Sequence, residues 1–154
     1  MTKRINIGKS DPHAYAAMDG LEKYVEHSKV SPIHQELIRI RASQINGCSY
    51  CIDMHTHDAR KNGDTEQRLY ALTAWRETPF FTEEEQVILT LTEEMTLITN
   101  RVSDSTYEQA LQLLGEEYLV QVMMVIITIN AWNRIGVATN MQPVTRKTEK
   151  EIKN

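Results

Sequence analysis

Residues 46–55 read NGCSYCIDMH and hold both cysteines of the chain, three positions apart, with His55 four positions beyond the second. The glycine before Cys48 ends one helix, so Cys48 falls at or just before the start of the next. Unpaired backbone amides there point toward its sulfur and favour a thiolate. Cys51 is three residues on and His55 four further, so Cys48, Cys51 and His55 all project toward one side of that helix. Such a face can hold a thiolate, a second thiol that resolves an oxidised intermediate, and an imidazole that moves protons. Cysteines at this spacing can close a disulfide across a helical turn, because their β-carbons need only approach to about 3.8 Å. Peroxide chemistry uses that property: a thiolate attacks the O–O bond and becomes a sulfenic acid, and a neighbouring thiol condenses with it to a disulfide that a reductant reopens. A histidine oriented by a carboxylate suits the proton transfers. Glu36, twelve residues before Cys48, is the candidate carboxylate, since a break at Asn46 and Gly47 lets two helices cross and brings it near His55.

On spacing alone other readings stay open. Zinc sites also use CxxC, and the stretch CSYCIDMHTH offers two sulfurs, His55 and His57. On a helix, however, His57 points away from His55, so a fourth ligand must come from elsewhere. The cysteines could instead be small apolar core residues. His55 and Glu36 taken singly read as a structural histidine and a surface acid, and Tyr50 as a packing aromatic. His13, His27 and His34 have no usable partner spacing.

Helices must position these groups. Asp11 with Pro12 starts a helix to about His27, and Ser31 with Pro32 starts a second that Gly47 ends. The third runs from Cys48 to Gly63. Asp64, with Gln67 in the reciprocal position, caps a fourth that carries Leu69, Leu72 and Trp75 toward Pro79. Thr82 and Glu85 form the capping box of a fifth, with Val87, Ile88, Leu91, Met95 and Ile98 on its apolar face. SDSTYEQALQLLG supplies a short sixth. The seventh, about 116–138, is apolar around most of its circumference and is expected to be central or buried between subunits. No segment alternates with period two, so the predicted class is all-α, a bundle of about seven helices. A single domain over 1–154 is expected, with its core at about 12–138 and a charged, frayed tail at 140–154.

The chain has 154 residues, 41% hydrophobic and 25% charged, with net charge -4 and cations scattered among acids, which argues against a nucleic-acid partner. YLVQVMMVIITI, 118–129, reads as too short and too interrupted by Gln121 and Thr128 to span a bilayer. No secretory signal is evident, so the expected location is cytoplasmic, where a lone CxxC is more often catalytic or metal-binding than a permanent bridge.

ELIRIRASQINGCSYCIDMHTHDARKNG, 36–63, resembles the AhpD-like alkylhydroperoxidases of the carboxymuconolactone decarboxylase family, and the likeness continues through AWRETPFFT and INAWNR. The resemblance implies a helical bundle that forms trimers or hexamers. It implies a cofactor-independent hydroperoxide reductase with Cys51 as peroxidatic thiol, Cys48 as the more accessible resolving thiol, and Glu36 and His55 as proton relay. A hydroperoxide substrate and an external dithiol or protein reductant follow as partners. One departure concerns Tyr50: the best characterised AhpD type has histidine there, and a phenol with an ordinary pKa near 10 donates a hydrogen bond but shuttles protons poorly. The alternatives are the family's lactone decarboxylation, which has no use for a thiol pair, and a redox sensor without turnover.

Overall fold

The computed structural model describes residues 2 and 4–145. Among them are eight α-helices and no strand: α1 Ile7–Ser10, α2 Pro12–Glu26, α3 Pro32–Asn46, α4 Ser49–Lys61, α5 Glu66–Ala71, α6 Glu83–Thr96, α7 Asp104–Leu114 and α8 Glu116–Thr139. The start signals act as read. Asp11 accepts from the His13 and Ala14 amides, Ser31 from the His34 amide, and Thr82 with Glu85 closes a capping box. Gly47 ends α3 at φ 69°, a left-handed conformation that favours a residue lacking a β-carbon.

Three expectations need correction. The fourth predicted helix is split into α5 and a 3-10 segment, Leu72–Glu77, and its cap is Thr65 rather than Asp64. Asp64 is engaged elsewhere, accepting from the Thr65 amide and from Arg68 Nε, so the neighbouring hydroxyl takes the Arg68 amide. Leu69, Leu72 and Trp75 are all buried nonetheless, because a spacing of three suits a 3-10 turn as well as an α-helix. The fifth predicted helix stops at Thr96, and Ile98 lies beyond it in a short 3-10 turn, 56% exposed. Finally, the one-turn α1 was not foreseen; Asn6 caps it by accepting from the Lys9 amide. Of the expected charged tail, 141–145 carries no regular secondary structure and the rest lies outside the described residues.

The core sits on both sides of α3. This helix sends Ile38 and Ala42 into one cluster with α6 and α8, and Leu37 and Ile40 into a second with Trp75, Phe81 and Leu89. It also packs closely on α4. Glu36 therefore lies on the most enclosed helix. The helix α8 has 24 residues, so the bilayer argument from its apolar centre was too narrow: by length and composition α8 could cross a membrane. Instead it packs against α2, α3, α4, α6 and α7 with Val122, Val125, Ile126 and Ile129 buried, while Val120, Ile127 and Val137 face outward.

A buried amide network fixes α3 to α8 one residue before the turn into α4. Asn46 Nδ2 donates to Asn133 Oδ1 at 2.9 Å and to Asn130 Oδ1 at 3.0 Å, and Asn133 Nδ2 donates to Ser43 Oγ at 2.9 Å. Satisfied in this way, the polar groups specify register rather than penalise burial.

Candidate active site

Cys48 is the N-cap of α4 and Cys51 lies in its first turn. Their Cα atoms are 5.3 Å apart and the sulfurs form a disulfide. The Cys51 amide donates to Cys48 Sγ at 3.4 Å, so the N-cap sulfur occupies the place of a capping oxygen. Cys51, His55 and Ala59 recur every four residues along the buried face of α4. Behind the sulfurs, α8 comes very close. A β-carbon built on Gly136 would stand 2.9 Å from Cys48 Sγ and 3.6 Å from Cys51 Sγ.

His55 and Glu36 meet where α3 and α4 cross, with His55 Nδ1 2.9 Å from Glu36 Oε2. Both residues are buried, at 6% and 5% exposure. A carboxylate can only accept, so Nδ1 carries the hydrogen and Nε2 remains the basic ring nitrogen. The other oxygen, Oε1, accepts from Arg39 Nη1 at 2.9 Å, and Arg39 Nη2 reaches Glu22 Oε2 on α2 at the same distance. The sequence reading missed Arg39 and Glu22. Arg39 follows Glu36 by one turn, a spacing at which opposite charges pair, whereas no sequence signal marks Glu22.

A cavity of about 840 Å3 opens onto this arrangement, lined by Tyr50, Cys51, Met54 and His55 of α4, by Tyr15 and Glu22 of α2, and by Trp132 of α8. Tyr15 and Trp132 pack edge to face, with ring centroids 5.5 Å apart. The segment before α1 forms another wall, and Arg4 Nη1 ties it across the cavity to the Ala138 carbonyl near the end of α8 at 2.7 Å. Cys48 is not among the lining residues. Both cysteines are buried, and Cys48, unlike Cys51, does not reach the cavity. The reason is its position as N-cap, tucked under Gly136, while Cys51 points one turn further along toward the cavity.

The remaining histidines stand apart. His34 Nδ1 pairs with Tyr118 Oη at 2.8 Å, and burial pushes its pKa down from the ordinary 6.5. His57 is exposed, and among the described residues no three His, Cys, Asp or Glu side chains cluster closely enough to hold a metal ion. Two acid groups away from the site, Glu93 partly buried and Glu85 buried, are shifted. Burial alone would push Glu93 up, but hydrogen bonds from Trp75, Arg76 and Arg41 hold it below the usual glutamate range. Burial likewise pushes Glu85 up, but hydrogen bonds from Arg68 and the Thr82 amide outweigh it and hold Glu85 below the usual glutamate range.

The residues that pair the sulfurs with a carboxylate-bound imidazole fall in the segment matched by the carboxymuconolactone decarboxylase family model, residues 12–94. The chain belongs to that family. It is 45% identical over 139 residues to YdfG of Bacillus subtilis, an uncharacterized protein, covering 90% of this chain and 95% of that one. A crystal structure from Agrobacterium tumefaciens, of a protein of unknown function assigned by name to AhpD antioxidant defence, superposes with a TM-score of 0.91 at 36% identity, covering 94% of this chain and all of the other. The debrominase Bmp8, crystallised in complex with 2,3,4-tribromopyrrole, superposes at 0.81 over 89% of this chain and 74% of its own, and at 18% identity shares the fold. The fold is thus the all-helical AhpD-like one.

Proposed function

We propose that this protein is a thiol-dependent hydroperoxide reductase that works without a bound cofactor. The observation that carries the reading is that Cys51 and His55 line one cavity, with His55 held by buried Glu36 and a partner sulfur already within bonding distance of Cys51. His55 Nε2 takes the Cys51 proton, and the thiolate attacks the distal peroxide oxygen. The O–O bond breaks, Cys51 becomes a sulfenic acid, and the alkoxide leaves as alcohol with the proton returned by His55. Cys48, as thiolate, then displaces water from the sulfenic sulfur and the disulfide forms. An external dithiol donates two electrons: its thiolate attacks the cavity-facing Cys51, Cys48 leaves, and the second thiol of the reductant releases Cys51. The Cys51 amide bonded to Cys48 Sγ makes the N-cap sulfur a good leaving group and a ready nucleophile in the reverse sense.

Tyr50 lines the same cavity and, in this reading, donates a hydrogen bond to the peroxide rather than shuttling its proton. The cavity is far larger than hydrogen peroxide and its aromatic wall suits an organic hydroperoxide. A homo-oligomer, with the exposed apolar side of α8 as one contact, and a cytoplasmic location belong to the same proposal. Steady-state consumption of cumene hydroperoxide with dithiothreitol tests it. Wild type should turn over, His55→Ala should be slowed about a hundredfold, and Cys51→Ser should be inactive. Equal rates for Cys51→Ser and wild type would overturn it.

A further inference from the structure

Arg39 is charged, nearly buried and belongs to no part of the cycle above. Its side chain is 13% exposed, and its two terminal nitrogens each bond a different carboxylate: Nη1 to Glu36 Oε1 and Nη2 to Glu22 Oε2, both at 2.9 Å. Glu36 in turn bonds His55 through its second oxygen, at 2.9 Å. One unbroken chain of charge-assisted bonds therefore links the cavity wall on α2, the central helix α3 and the imidazole on α4. The guanidinium also lines the cavity, but it has no contact with either sulfur that the structure records.

We infer that Arg39 is the positioning residue of the thiol site, acting on Cys51 only through Glu36 and His55. The terminal torsion of a glutamate is broad, so a carboxylate held by one oxygen can turn and release its partner. With Oε1 pinned by Arg39, Oε2 has one place to be, and the His55 ring is fixed with Nδ1–H inward and Nε2 toward the cavity. Arg39 would itself be free to swing out to solvent without its second bond, and Glu22 removes that freedom. A lysine cannot reproduce this, because a point charge lacks the planar fork that serves two carboxylates from different helices. The inference rests on the reading of Cys51 as the reacting thiol.

The test uses reduced protein carrying Cys48→Ser, which leaves one thiol and a serine well suited to cap α4. The rate of Cys51 alkylation by iodoacetamide and the rate of its oxidation by cumene hydroperoxide are each measured with and without Arg39→Gln, in the presence of His55 and in a His55→Ala background. Arg39→Gln should slow alkylation about tenfold when His55 is present, and less than about twofold when it is absent. Arg39→Lys should recover only part of the loss. Glu22→Gln, which keeps the Arg39–Glu36 pair, should slow the reaction about threefold and gives the same coupling to His55 should Arg39→Gln fail to fold. Equal slowing by Arg39→Gln in both backgrounds, or no slowing with His55 present, overturns the inference. Should the coupling hold for alkylation while no protein, wild type included, reacts with the hydroperoxide, the inference stands and the peroxidase reading falls.

Discussion

Gly136 offers a sign test of how tightly the thiol site is built. It lies inside α8, where alanine normally stabilises a helix by up to about 1 kcal/mol over glycine. Here the added β-carbon would stand 2.9 Å from Cys48 Sγ, short of normal contact by about 0.6 Å or more. The sulfur cannot swing aside, being bonded to Cys51 and held by the Cys51 amide. Overpacking of this kind costs about 1–3 kcal/mol, so after the helix gain Gly136→Ala should be a net loss of up to about 2 kcal/mol. For a chain of this size that lowers Tm by up to about 8 °C. The internal control is Gly20, in α2, where a β-carbon meets nothing within 4 Å. Gly20→Ala should gain about 0.5–1 kcal/mol. Thermal unfolding of both variants, oxidised and reduced, is the assay, and the loss at Gly136 should shrink on reduction, when Cys48 can rotate. An oxidised Gly136→Ala protein as stable as wild type would refute the packing argument.

Two further outcomes follow from groups outside the cavity. Glu93 is held below the ordinary value of 4.5, so its share of stability is present above about pH 4.5 and is lost as pH falls through its folded value. Urea unfolding should show Glu93→Gln weaker than wild type by about 1–2 kcal/mol at pH 7, and the gap should narrow below that window; a gap independent of pH would contradict it. Asn133→Ala takes away one of the two acceptors of the Asn46 amide and the amide that donates to Ser43 Oγ, while the Asn46–Asn130 bond and the Ser43 bond to the Arg39 carbonyl remain, and should cost about 1–2 kcal/mol by the same measurement.

The legible parts of this fold are those whose signal is local. Capping pairs and a glycine at positive φ set the bounds of α2, α3, α6 and α7 to within a residue or two, because each acts on its own helix end. The 3-10 turn after α5 was hidden because Leu69, Leu72 and Trp75 satisfy both periods, and because the Asp64 carboxylate is drawn off by Arg68. At the site, Cys48, Cys51 and His55 are legible since one helix carries them, and Glu36 because the break at Gly47 folds α3 against α4. Glu22, Trp132 and the α1 segment reach the cavity through tertiary packing alone. Which cysteine lines the cavity was likewise invisible, since Cys48 lies against Gly136, 88 positions away in the sequence.

The most direct measurement is the mass of the single-thiol proteins after exposure, fully reduced, to one equivalent of cumene hydroperoxide. Cys48→Ser should gain one oxygen atom, located at Cys51, while Cys51→Ser should remain unmodified over the same interval. Oxygen on Cys48 in the Cys51→Ser protein at a matching rate, with Cys51 untouched in the other, would contradict a peroxide-reducing thiol poised beside His55.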